Sequence, residues 1–201
     1  TTVSNNVIHH IYSLDYGGWG LYTDEGSEGI VMENNLVYYC KSAGFHQHYG
    51  KENIIRNNIF VNSIKSQLQG TRVEKHLSFS FTGNIVYFNS GTLLSSNWPT
   101  MNIHSDNNCY WDTRTGNILF GKNTFKAWQQ GGKDRHSIIA DPGFADVQHF
   151  DFRLKNKKVI SKIKFQPFDY SKAGVYGSNE WIQKAVFDAA RARAFDQMVA
   201  E

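Results

Sequence analysis

Apolar residues in this chain fall in short runs, and asparagine leads most of them. Val7-Ile8 follows Asn5-Asn6, Leu36-Val37 follows Asn34-Asn35, and Ile59-Phe60 follows Asn57-Asn58. Ile85-Val86 follows Gly83-Asn84, and Cys109-Tyr110 follows Asn107-Asn108. The second residue of each pair falls at 6, 35, 58, 84 and 108, in steps of 23 to 29 residues. A repeat of that length marks a solenoid or array. Within one repeat the alternation predicts three short strands, over 20–23, 29–32 and 35–39, separated by Gly, Asn and Ser turns. Three strands per repeat with no intervening helix predict an all-β parallel β-helix. Its coils stack at about 4.8 Å with apolar side chains inward.

Asparagine at the corner has a physical reason. It tolerates the left-handed backbone that a sharp bend needs. Stacked on successive coils, its amides can bond along the ladder. After Asn108 the pattern loosens. Residues 123–131 read as a short helix with a polar cap and a Gly stop, and 179–200 as a final helix. Extended pieces lie between them, around Pro142 and over Asp151–Leu154. The expected division is coils over 1–120 and an irregular extension over 121–201 that covers the open end of the solenoid. The chain opens in mid-pattern, so we expect further coils upstream in a longer protein.

Composition narrows the function classes. At 40 % hydrophobic and 14 % aromatic residues, the 201-residue chain can bury a sizeable core. A formal charge of +3, with its basic residues scattered, does not suit nucleic acid. The one basic cluster, Lys155-Asn156-Lys157-Lys158, reads as a solvated turn. No run approaches the roughly 18 apolar residues of a membrane helix, so no membrane partner is expected. Cys40 and Cys109 sit in strand-like runs without metal-ligand spacing and read as buried free thiols.

The strings DYGGWGLYTDEGSEGI, ENNLVYYCKSAGFHQHYGKENIIRNNIF and ADPGFADVQHFDFRLKNKKVISKIKFQPFDYSKAGVYG carry a resemblance. They resemble the C-terminal half of secreted bacterial right-handed parallel β-helix proteins that act on carbohydrates. Fucosidase-like and xylanase-like glycoside hydrolases are among these. The resemblance covers most of 1–180 and implies a right-handed coil, a plant or algal polysaccharide or oligosaccharide as substrate, and a secreted or periplasmic location. It departs from the group in lacking the upstream coils.

The candidate site comes from aligning Gly20 with Gly44. Leu21 then pairs with Phe45 inward, while Tyr22, Asp24, His46 and His48 point outward on neighbouring coils. On the next coil Leu68 faces inward between Gln67 and Gln69, with Arg72 and Glu74 close by. Trp19, Tyr22 and Tyr49 stand at the margin of this patch. Rings against a pyranose face and planar polar groups toward its hydroxyls are what a sugar needs. The expected binding residues are therefore Trp19, Tyr22, His46, Tyr49, Gln67, Gln69 and Arg72. Glycosidases use two carboxyl groups across the bond. Asp24 beside His48 is expected to supply one, and Glu25 or Asp15 the other. A lyase is the alternative, with His46 or His48 as base and Arg72 neutralising a uronate. Glycan binding without turnover is a third reading. His46-x-His48 with Asp24 could ligate calcium or another divalent metal, but sugar contact explains the same residues, and no cofactor is expected. His9-His10 and His104 read as surface or turn residues, and Lys51-Glu52 and Lys75 as rim charges.

Overall fold

The computed structural model describes residues 1–200, without the side chains of 195, 196 and 198–200. Three parallel sheets wind into a β-solenoid of about four turns. The first sheet stacks Thr2–Ser4, Val31–Glu33, Asn53–Arg56, Phe79–Thr82 and Ile103–Asp106. The second stacks Val7–Ile11, Leu36–Cys40, Ile59–Val61, Ile85–Phe88 and Cys109–Asp112, and Ile138–Ile139 joins as a sixth strand. The third stacks Trp19–Thr23, Ala43–Gln47, Ser66–Gly70 and Thr92–Ser96.

The corner between the first and second sheets divides its work between two residues. The leading one turns the chain through the left-handed region: φ is 59° at Asn5, 57° at Asn34, 54° at Asn57, 64° at Gly83 and 55° at Asn107. The following Asn points inward. Asn35, Asn58, Asn84 and Asn108 are fully buried, and each side-chain oxygen accepts the backbone N–H one coil back. Those distances are 3.1 Å at Asn6 to Asn35, 3.0 Å at Asn35 to Asn58, and 2.9 Å at both Asn58 to Asn84 and Asn84 to Asn108. Ser137 and Asp134 end the ladder, receiving Asn108 N–H and Nδ2 at 2.8 and 3.0 Å. The ladder thus satisfies buried backbone donors that a corner would otherwise orphan.

Inside the coils Leu21, Phe45, Leu68 and Leu94 stand in register, packed with Phe60, Phe79, Phe81 and Trp98. The helix Phe125–Gln130 forms where expected, capped by Thr124 and stopped at Gly131. Trp128, Phe120 and Ile118 join the core cluster, so this segment closes the last coil.

The rest of the tail returns along the second sheet. Strands Phe144–Asp146 and Asp151–Leu154 pair antiparallel, and Phe152, Val159, Ile163 and Phe165 pack on Leu36, Tyr38, Ile59, Val61, Ile85 and Cys109. The second sheet is therefore buried on both faces. Its runs LVYYC, IFV and IVYF are apolar without alternation for that reason. The basic cluster is likewise no plain turn. Asn156 caps the helix Lys157–Lys162 through Val159 N, and Val159 anchors it. The expected single terminal helix is two, Asn179–Lys184 and Ala189–Ala200. Phe187, between them, packs on His9 and His10 at ring separations of 4.8 and 4.5 Å. His9 also stacks on Tyr38 at 4.9 Å, so the two histidines belong to an aromatic cluster rather than to open surface.

Cys40 and Cys109 are buried free thiols, and burial pushes both up to about 12. Among the described residues, no helix is long and apolar enough to cross a membrane.

Candidate functional site

The outer wall of the third sheet brings together most of the residues singled out. Its register pairs Tyr22 with His46 and His46 with Gln69. Trp19 and Tyr22, three residues apart, stack on one another with ring centroids 4.9 Å apart and planes 19° from parallel. The pair forms one aromatic platform, and Tyr22 is 36 % exposed. Trp19 Nε1 donates to Gln69 Oε1 at 2.7 Å, which fixes the indole.

His46 is the floor under that platform, its ring 4.5 Å from Trp19 and 5.0 Å from Tyr22. It points outward as expected yet is fully buried. Burial first, then the neighbouring His48, lowers its pKa to about 4, so it is neutral near pH 7. Its Nε2 lies 3.1 Å from Thr71 Oγ1, and its Nδ1 has no partner. His48 Nδ1 lies 2.9 Å from the same Thr71 oxygen. His48 Nε2 faces Glu25 Oε1 at 3.5 Å, and Arg72 reaches that oxygen at 3.4 Å.

Asp24 sits at the open end of the strand. The backbone N–H of Glu25, at 2.8 Å, holds its carboxyl below the usual range, and the Tyr22 hydroxyl adds to this. Burial, then the bond to Asp24, raises the Tyr22 hydroxyl to about 12, so it stays a donor. An ionised Asp24 suits a nucleophile or base better than a proton donor.

Three of the expected residues stand apart from the wall. Gln67 is fully buried, the second residue of the strand Ser66–Gly70. Its amide is spent on backbone, donating to Ser63 O at 2.9 Å and Ser90 O at 3.1 Å and accepting from Ser63 N at 2.9 Å. It holds a turn and offers nothing to a ligand. Tyr49 lies in the bend after the strand Ala43–Gln47, its ring 6.4 Å from that of His76. Asp15 lies on the far side of Trp19 from Asp24, in a groove of about 300 Å³ shared with Trp19, Lys65, Gln69 and Ser95. That groove and Thr71 were not anticipated. The third-sheet register would have put Thr71 next to the two histidines, since its N–H bonds Gln47 O at 3.1 Å.

Among the described residues, no three His, Cys, Asp or Glu side chains form a group able to hold a metal ion. The wall's own side chains supply an aromatic stack, hydrogen-bonding groups around it, and the Asp24 and Glu25 carboxylates at one end. Comparison with known proteins finds no matching family model, no similar curated protein and no similar solved structure.

Proposed function

We propose that the third-sheet wall binds a polysaccharide or oligosaccharide and that the protein is a glycoside hydrolase. The observation that carries this reading is the stacked Trp19–Tyr22 platform with Gln69 beside it and Asp24 and Glu25 at its edge. A pyranose ring lies on such a platform through its C–H face, and its hydroxyls meet the amide, imidazole and carboxylate groups around it. Asp24, kept ionised by the Glu25 N–H and the Tyr22 hydroxyl, is the nucleophile or base. Glu25 is the second carboxyl group, with Asp15 serving a subsite across Trp19.

Plant and algal polysaccharides are the substrates to screen, with reducing-end release as the readout. Asp24→Asn and Glu25→Gln should each lower turnover by about 10²–10⁴-fold while glycan binding persists. Unchanged turnover in Asp24→Asn would remove the hydrolase reading. Binding in the wild type without turnover of any glycan would leave a recognition surface only. A lyase is the second reading, favoured by Arg72 lying next to His48 across Glu25. A cation to neutralise a uronate beside an imidazole base is what elimination needs. An unsaturated product absorbing in the ultraviolet would identify it.

A further inference from the structure

Thr71 holds a single hydroxyl proton between two imidazoles. His46 Nε2 is 3.1 Å from its oxygen, His48 Nδ1 is 2.9 Å away, and the His48 carbonyl is a longer alternative at 3.3 Å. Which way each proton points follows from the group with no partner. His46 Nδ1 is buried and unpaired. A buried N–H without an acceptor is rarer than a buried lone pair without a donor. The neutral His46 ring therefore carries its proton on Nε2 and donates it to Thr71.

With its oxygen accepting from His46, Thr71 turns its own O–H to the nearer acceptor, His48 Nδ1. A neutral His48 then carries its proton on Nε2, where it faces Glu25 Oε1 at 3.5 Å. The reverse arrangement would aim a lone pair at a carboxylate. From this we infer that Thr71 is a positioning residue: it orders the chain His46→Thr71→His48→Glu25 so that His48 presents an N–H to the Glu25 carboxylate. The consequence for turnover rests on the hydrolase reading above. The proton arrangement does not, because it belongs to the protein without ligand.

The test is the ¹⁵N spectrum of the two imidazoles in the intact chain at neutral pH, assigned with His46→Gln and His48→Gln. Both rings should show a protonated Nε2 and a bare Nδ1, with the His48 Nδ1 resonance shifted by an accepted hydrogen bond. Thr71→Val should abolish that shift, and Thr71→Ser should restore it. A wild-type proton on Nδ1 of either ring overturns the inference. So does a His48 Nδ1 resonance indifferent to Thr71→Val in a variant whose backbone spectrum is otherwise native. If Thr71→Val does not fold, the wild-type and Thr71→Ser spectra still decide the tautomers. Should a glycan be turned over, Thr71→Val should lower kcat about tenfold with KM little changed, and Thr71→Ser should recover it. Normal kcat in Thr71→Val would overturn the positioning role and leave the hydrolase reading standing. Absence of any turnover would fall on the hydrolase reading, with the spectra deciding the relay.

Discussion

Replacing Asn58 by Ala should be among the most damaging single changes in the solenoid, while replacing its neighbour Asn57 by Gly should be mild. Asn58 is fully buried and central in the ladder. Its Oδ1 accepts from Asn35 N and Nδ2, both at 3.0 Å. Its Nδ2 donates to Met32 O and Arg56 O at 2.9 Å and to Asn84 Oδ1 at 3.0 Å. Truncation orphans the buried Asn35 N–H, at about 1–3 kcal/mol, and forfeits three further bonds at about 1 kcal/mol each, since the two Nδ2 protons serve only two of its three acceptors at once. The sum is about 4–6 kcal/mol, a large part of the total stability of a domain. Asn57 does a different job. Its φ is 54°, a value glycine adopts freely, and Gly83 fills the same corner one coil on with φ 64°. The change loses three bonds that are exposed or partly so, from Nδ2 to Asn34 Oδ1 and Gln166 O and from Gln166 N–H to Oδ1, so about 1–2 kcal/mol is expected. Urea unfolding followed by far-ultraviolet circular dichroism measures both, with the slope m as a check that the unfolded state is unchanged. A cost below about 1 kcal/mol for Asn58→Ala, or a larger cost for Asn57→Gly than for Asn58→Ala, would refute the division of labour at the corner.

Three further outcomes follow. The buried His46 has a folded pKa of about 4 against an ordinary 6.5, so the unfolded chain takes up its proton first. Stability is then complete above about pH 6.5, falls by at most about 3 kcal/mol as pH drops toward 4, and gains no further loss from this group below that. Unfolding midpoints across that range should show the slope, and His46→Gln should flatten it. Asp134 is buried and accepts from Ser105, Tyr110, Ser137, Asn108 and Trp128, the last at 2.7 Å. Asp134→Asn sets an N–H₂ against donors and should cost about 2–4 kcal/mol, with a change in Trp128 fluorescence. Native emission and an unchanged midpoint would contradict this. Trp19→Ala should weaken glycan binding by about 1 kcal/mol or more, roughly fivefold upward, in a titration where Trp181→Ala, a 67 % exposed ring, changes nothing.

The repeat of Asn pairs and short apolar runs determined the parallel β-solenoid, because stacking identical corners imposes one periodic demand on the chain. It also determined the third-sheet register, since a parallel ladder keeps Leu21 over Phe45 and Tyr22 over His46. Local cues sufficed for the helix at 125–130, whose Thr cap and Gly stop lie within one turn of it. Other features depended on what lies across space. The unbroken apolar character of LVYYC was visible, but only the return of residues 144–165 over the second sheet explains it. His9 and His10 looked solitary until Phe187, far along the chain, came to rest on them. Gln67 and Gln69 are alike in sequence. One is locked to the backbone of Ser63 and Ser90 while the other holds Trp19, although both lie on the strand Ser66–Gly70. Periodicity reports which way a side chain leaves a strand; what it meets there is set by segments that carry no repeat, and only the tertiary structure brings those into place.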